Sequence, residues 1–205
     1  MDSDLSAFEG LDVYLFDQLV KGRLHPGQRV LDAGCGRGRN ARWLVDHGAD
    51  LVGIDHSPEA LAEARERLGL GPERLLEARL EALPFDDSSF DAVICCAVLH
   101  FAADHQAFAD MLDELVRVLR PGGVLFARLA TRTTVEDTVQ PLGSGRYRLL
   151  DEREWYLVGE EELLAHAAAR GLEPLEPLKS TRVQGVRAMA TWVARRAEVA
   201  VAPEA

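Results

Sequence analysis

Two kinds of hydrophobic pattern alternate along the chain. Short apolar runs of strand length are separated by segments whose apolar residues recur at helical spacing. The runs predict strands at 29–32, 50–55, 75–80, 91–99 and 124–130. Because strands that alternate with helices form βαβ units, the pattern predicts a doubly wound α/β core with a parallel sheet covered on both faces.

The predicted helices carry start and stop signals of their own. Ser57 precedes Pro58, which is the order of an N-cap residue and a first helical residue. The longest apolar stripe at helical spacing runs over 108–119, and Pro121 ends it. The predicted helices are 40–47, 58–68, 108–119 and 160–170.

A length of 205 residues predicts one domain, within which four parts differ in pattern. Residues 1–28 are a helical lead-in and 29–130 are the α/β core. Residues 131–159 are polar, show no clear period and predict a long irregular loop. The last part, 160–196, holds a helix and two strands, near 172–178 and 186–194.

Composition places the chain among globular proteins. Hydrophobic residues make up 47% and charged residues 28%, which excludes a disordered or fibrous protein. The net charge of −11 is unfavourable for binding nucleic acid, since phosphate neutralisation needs a basic face. We therefore expect a small-molecule partner, no nucleic acid, and a chain that is a monomer or a homodimer.

The cysteines and the N-terminal residues indicate the cellular compartment and whether the chain binds a metal. The 3 cysteines include the neighbours Cys95 and Cys96, and neither they nor the 6 histidines show metal-ligand spacing. We thus expect no disulfide framework and no metal site. No apolar run has the length of a membrane span, and the acidic start does not resemble a signal peptide. These features predict a cytoplasmic protein that does not bind membranes.

A glycine-rich turn follows the first strand and is the strongest candidate for a ligand site. Gly34, Gly36 and Gly38 stand at alternating positions, where the sheet of a doubly wound fold binds its ligands. Dinucleotide-binding folds have the spacing G-x-G-x-x-G, which this turn does not match. Asp32 also precedes the turn, and its carboxylate would repel pyrophosphate and suit a cationic ligand.

The second strand ends in another carboxylate, Asp55. An acidic residue at this place in nucleotide-binding sheets accepts hydrogen bonds from the ribose hydroxyls. By itself, an Asp shortly before Ser57 and Pro58 is as often a turn or helix-start residue as a ribose ligand. The glycine turn nearby favours ribose binding.

Four runs, in this order, resemble the class I S-adenosylmethionine-dependent methyltransferases of the type 11 group. They are VLDAGCGRGRN (30–40), GIDHSPEAL (53–61), LPFDDSSFDAVICCAVLH (83–100) and LRPGGVLF (119–126). The run GRGRN and residues 189–196 bear a weaker similarity to the tellurite-resistance branch. The resemblance implies a Rossmann-like seven-stranded sheet, mostly parallel with a C-terminal antiparallel hairpin.

The resemblance also implies roles for particular residues toward S-adenosylmethionine and its product S-adenosylhomocysteine. The methionine portion would lie among Asp32, Gly34, Cys35 and Gly36. Asp55 would hold the ribose, and His56 would lie against the adenine. Cys96, Ala97 and Val98 would lie beneath the sulfonium. The family has an Asp for the adenine amine where this chain has Arg79, so the backbone of Leu80 or the carboxylate of Glu81 could replace it.

Catalytic candidates are few. His100 follows the fourth strand and is a candidate general base, and the alternative is a loop histidine without a catalytic role. Cys95 and Cys96 are interpreted first as small apolar strand residues, only one of which faces the cofactor. In the predicted loop 131–159, arginines and aromatics could hold an anionic or planar acceptor, or the arginines could pair with nearby acidic residues.

Two function classes share these residues. The first is an enzyme that transfers a methyl group from S-adenosylmethionine to a small-molecule acceptor. The second is a non-catalytic S-adenosylmethionine-binding domain that acts as a partner or sensor. A nicotinamide-dependent oxidoreductase and a nucleic-acid methyltransferase are disfavoured, the former by the glycine spacing and Asp32, the latter by the net charge.

Overall fold

The structure is a computed structural model that describes residues 8–198. Residues 1–7 of the predicted lead-in and residues 199–205 lie outside this range. The helices are α1 Val13–Val20, α2 Arg42–Asp46, α3 Pro58–Leu68, α4 His105–Val118 and α5 Glu160–Ala169. The strands are β1 Arg29–Ala33, β2 Asp50–Asp55, β3 Leu75–Glu77, β4 Phe90–Cys96, β5 Leu119–Thr131, β6 Gln140–Gly143, β7 Arg146–Arg148, β8 Glu154–Tyr156, β9 Leu172–Pro174, β10 Lys179–Val183 and β11 Arg187–Arg196.

The main sheet has the strand order β10-β11-β5-β4-β1-β2-β3. Strands β1 to β5 pair in parallel, and β11 is antiparallel to β5. Strands β9 and β10 pair antiparallel with the two ends of β11, so together they occupy one outer position of the sheet. The predicted doubly wound sheet with its C-terminal antiparallel hairpin is confirmed, with the outermost strand divided in two.

Apolar side chains form a buried layer on each face of this sheet. On one face, the predicted apolar stripe of α4 packs against the sheet and buries Phe108, Leu112 and Leu115. On the other face, Leu15 of α1 and Leu61 of α3 join the residues that point there from β1 and β4. The amphipathic patterns therefore place the helices on the faces that the βαβ order predicts.

The loop predicted at 131–159 is wrong in part, because this segment contains a second, three-stranded sheet of order β6-β7-β8. Its strands are antiparallel and have only three or four residues, too short to produce a recognisable alternation. The turn between β6 and β7 uses positive φ at Gly143, Ser144 and Gly145. We call this unit the small sheet.

The small sheet packs against the turn that follows β4. That turn is a single 3-10 helix, Leu99–Phe101, reached through Ala97, whose φ of 65° redirects the chain at the end of the strand. The Trp155 ring lies 4.3 Å from the ring of His100, centroid to centroid, and the Tyr156 hydroxyl lies 2.9 Å from His105 Nδ1. The predicted strand 91–99 therefore ends at Cys96. In the described part of the chain, no helix combines the length and apolar character needed to span a bilayer.

Replacement of Leu115 tests the α4 packing. Leu115→Ala removes a fully buried side chain between α4 and the sheet. We expect the free energy of unfolding to fall by about 2–5 kcal/mol, measured by urea titration. Gln106→Ala, on the exposed side of the same helix, is the control and should change it by about 0.5 kcal/mol or less. Equal effects of the two substitutions would contradict the packing described.

Candidate functional site

A bipartite cleft lies where the parallel strands of the main sheet end. One half, the β3 compartment, has a volume of about 330 Å³ and extends toward Ala78, Leu80 and Met111. The other half, the glycine-loop compartment, has about 370 Å³ and extends along Cys35, Gly36, Arg37, Arg39, Asn40 and Cys96. Both halves share Gly34, Asp55, His56, Val98 and Phe101. Each has the size of a small-molecule site.

Gly34 allows the glycine loop to approach the end of β4. Its φ is +80°, and a Cβ at this position would lie 2.3 Å from Val98 Cγ2. A side chain here would therefore be both strained and in collision with the residue that separates the two compartments. The sequence places glycine where the cleft requires it.

The backbone donors of the glycine loop are used within the protein. The amides of Gly34 and Cys35 both donate to the carbonyl of Ile54, at 2.9 and 2.8 Å. The amide of Gly36 donates to Asp55 Oδ2 at 2.9 Å. A helix N-terminus, which binds pyrophosphate in dinucleotide folds, is not adjacent, because α2 begins only at Arg42. These contacts are unfavourable for a pyrophosphate at this loop.

Asp55 lies at the junction of the two compartments and is fixed by two backbone amides. Its Oδ1 accepts from the amide of Ser57 at 2.9 Å, while Oδ2 accepts from Gly36. Each carboxylate oxygen retains a lone pair for a ligand hydroxyl. The neighbouring His56 ring is largely exposed, with Nδ1 3.5 Å from Asp55 Oδ1.

Asp32 lies beneath the glycine loop and not among the residues that line the cleft. Within residues 8–198 its Oδ2 is buried and has no hydrogen-bond partner. Burial raises the pKa of Asp32 to about 7, and the positive charge of Arg39 opposes that rise. An unpaired buried carboxyl is costly, and a cationic ligand above the loop would compensate it.

The two neighbouring cysteines of β4 face opposite sides of the sheet, as alternation predicts. Cys95 lies in the layer with α4, and Cys96 faces the glycine-loop compartment. Burial raises the pKa of both thiols, that of Cys96 to about 12. The same cause raises the pKa of Cys35. All three are free thiols that stay protonated and lack nucleophilic character.

Comparison with known proteins shows which family part of the chain resembles. Residues 31–127 match the model of a family described as a methyltransferase domain. A malonyl-[acyl-carrier protein] O-methyltransferase of Enterobacter lignolyticus is 36% identical over 125 residues, which are 61% of this chain and 46% of that protein. Residues 31–127, a little under half of the chain, therefore resemble the class I S-adenosylmethionine-dependent methyltransferases.

Solved structures share the fold of this chain at low sequence identity. A S-adenosylmethionine-dependent methyltransferase of Methanosarcina mazei superposes with a TM-score of 0.75 at 20% identity, over 88% of this chain and 98% of that chain. The 1,6-didemethyltoxoflavin N1-methyltransferase of Burkholderia thailandensis, crystallised with 1,6-didemethyltoxoflavin and S-adenosylhomocysteine, gives 0.65 at 22%, over 96% and 80%. The chain spans less than half the length of the curated relatives it matches.

The surroundings of His100 are unfavourable for the predicted role as a general base. The ring is buried between Phe101 and Trp155, and its Nδ1 accepts a hydrogen bond from the amide of Ala130 at 3.2 Å. Burial, with smaller contributions from Arg187 and Arg153, lowers the pKa of His100 to about 3. The His100 ring is therefore a weak base, and it does not line the cleft. Its contacts instead join the small sheet to β5.

Most of the other predicted binding residues line the cleft. They are Gly34, Cys35, Gly36, Asp55, His56, Leu80, Glu81, Cys96, Ala97 and Val98. Arg79, at the position where the family has an Asp, is exposed and also lines the β3 compartment, with its NH2 group 3.4 Å from Glu81 Oε1. Leu80 and Glu81 therefore line the same compartment as Asp55 and His56.

Sequence reasoning missed several apolar residues of the cleft, among them Phe101 and Met111. Phe101 lines both compartments and is 61% exposed, and Met111 of α4 closes the β3 compartment. Met111 belongs to the apolar stripe of α4, which predicts core packing and gives no sign of a cavity. The available signal for Phe101 is an aromatic residue two positions after the end of the predicted fourth strand, 91–99.

The arginines of the small sheet region pair mainly with acidic neighbours. Arg148 contacts Glu154 at 2.8 Å, and Arg132 contacts Glu162 at 2.8 Å. Arg153 pairs with Asp151 and lies over the Trp155 ring. Of the two interpretations of these arginines, the structure favours pairing within the protein.

Removal of the Asp32 charge should change how stability depends on pH. The raised pKa means that the folded protein holds a proton between about pH 4 and pH 7 that the unfolded chain has lost, so wild-type stability falls as pH rises through that range. Asp32→Asn cannot titrate. We therefore expect its melting temperature, relative to wild type, to be higher at about pH 8 than at about pH 5.

Thermal unfolding at several pH values measures this difference. Asp86→Asn, an exposed carboxyl far along the chain, serves as the matched control and should show no such trend. A difference between Asp32→Asn and wild type that stays constant with pH would contradict the described environment of Asp32.

Proposed function

We propose that the chain transfers a methyl group from S-adenosylmethionine to a small-molecule acceptor. The observation that carries the proposal is the bipartite cleft with Asp55 at its junction, since it matches a nucleoside joined to an amino acid. The ribose hydroxyls would donate to the two Asp55 oxygens. Adenine would fill the β3 compartment and the methionine portion the glycine-loop compartment.

The residues fit this cofactor on two observations. Asp32 is a buried carboxyl without a partner among residues 8–198, as a cationic ligand above it requires. Gly34 allows Val98 to pack directly against the glycine loop, since a Cβ here would lie 2.3 Å from Val98 Cγ2, and both residues line the cleft. The Burkholderia thailandensis enzyme, which shares this fold, was crystallised with S-adenosylhomocysteine.

The bound cofactor supplies a methyl group already activated by a sulfonium. The chain would therefore act mainly by orientation: Asp55 holds the ribose and the glycine loop sets the sulfur end. Alignment of two reactants accounts for about 7–11 kcal/mol in favourable cases. No general base is required for an acceptor that is already a thiolate or carbanion.

We further propose that residues 131–159 select the acceptor. The small sheet contacts the turn that carries Phe101, and Phe101 opens onto both compartments. The exposed face of this ring would exclude water beside the transferred methyl group and favour an acceptor with a planar or apolar part.

Calorimetric titration with S-adenosylhomocysteine tests cofactor binding. We expect wild type to bind it in the micromolar range, and Asp55→Ala to weaken binding by about tenfold or more, because charged hydrogen bonds to the ribose are lost. Asp50→Ala, at the opposite end of the same strand, is the control and should bind like wild type.

Two outcomes would count against this proposal. Binding of NADH in place of S-adenosylhomocysteine would favour an oxidoreductase. Binding of S-adenosylhomocysteine without methylation of any member of a panel of thiol, hydroxyl and amine acceptors would favour the alternative, a non-catalytic cofactor-binding domain.

A further inference from the structure

The glycine-loop compartment needs a side-chain cation if its ligand carries a carboxylate. The amides of Gly34, Cys35 and Gly36 already donate to Ile54 and Asp55, and the amide of Gly38 donates to the carbonyl of Cys35 at 2.9 Å. The carboxyls of Asp32 and Asp55 lie at the same loop. Without a cation, an anionic group would face two acids and few free donors.

Two arginines line this compartment, and their surroundings differ. Arg37 is 70% exposed and its Nε lies 3.2 Å from Glu63 Oε2, so it already has a carboxylate partner. Arg39 has no carboxylate within 4.0 Å among residues 8–198. The two residues are therefore not equivalent candidates.

Two hydrogen bonds hold the Arg39 guanidinium across the compartment. Its NH1 group donates to the carbonyl of Gly10 at 2.9 Å, and its NH2 group lies 3.6 Å from Cys96 Sγ. These partners are neutral, since the Cys96 thiol stays protonated, so they orient the cation without neutralising it. Asp12 of the lead-in is engaged by Arg128 and by the amide of Tyr14.

Arg39 lines the glycine-loop compartment and Asp32 is buried beneath the glycine loop, so groups of opposite charge type lie on two sides of one small space. The positive charge of Arg39 acts on Asp32 beneath the loop, which shows that the two groups lie within electrostatic range. An α-amino acid end carries an ammonium and a carboxylate on one carbon and complements such a pair. A phosphate or an uncharged thioether complements only one member of it.

We propose that Arg39 is a specificity-determining residue that pairs with the α-carboxylate of the bound nucleoside, and so selects nucleosides joined to an amino acid. The proposal rests on the proposed function and deepens it. The guanidinium supplies the anion-binding donors that the glycine loop has already used.

The test compares three ligands that differ at this end: S-adenosylmethionine, decarboxylated S-adenosylmethionine and 5′-methylthioadenosine. Wild type should prefer S-adenosylmethionine over its decarboxylated form by about 10- to 100-fold, the value of a charge-assisted hydrogen bond pair. Arg39→Gln should reduce that ratio to about one. Its affinity for 5′-methylthioadenosine, which lacks the amino acid, should stay within about twofold of wild type.

Arg42→Gln is the matched control, an exposed arginine of α2 paired with Asp46, and it should keep the wild-type ratio. An unchanged ratio in Arg39→Gln would overturn the assignment. An equal loss of affinity for all three ligands would also overturn it, because that pattern indicates a structural role. Failure of wild type to bind any of them would overturn the proposed function, and this assignment with it.

Discussion

The attachment of the glycine loop to the second strand determines the character of this cleft. Two loop amides share the Ile54 carbonyl and a third donates to the Asp55 carboxylate. The contacts fix the loop and Asp55 relative to each other, so the two walls of the cleft form one rigid unit. They also use the donors that would otherwise bind a phosphate. Recognition of charge on the ligand is thereby left to side chains.

Those side chains have contrasting surroundings. Asp32 is buried without a partner in the described structure, which raises its pKa to about 7, whereas Arg39 is oriented only by neutral groups. The buried, unpartnered Asp32 oxygen is unfavourable for the isolated protein, whereas Arg39 is exposed and solvated, and both side chains could pair with a ligand group of opposite charge. The loss of folding stability caused by the buried Asp32 carboxyl is therefore consistent with affinity for a zwitterionic ligand.

The sequence predicts the parts of the fold and site that have local signals. The alternating periods predict a parallel sheet. Gly34 is recognisable because it directly follows an apolar strand, and Asp55 because it ends one. His100 illustrates what sequence reasoning missed: its burial depends on Trp155, more than fifty positions later, on a strand of three residues without a readable period. Phe101 enters the cleft because Ala97 turns the chain, and a positive φ at alanine has no sequence signature.

The central claim is that this cleft holds a nucleoside joined to an amino acid. A crystal structure of the chain grown with S-adenosylhomocysteine tests it most directly. The account predicts density for the ribose hydroxyls on Asp55, the base beside Leu80 and the amino-acid end beside Gly36 and Arg39. A cleft that stays empty beside Gly36 at saturating ligand, or a nucleoside bound elsewhere, would contradict it.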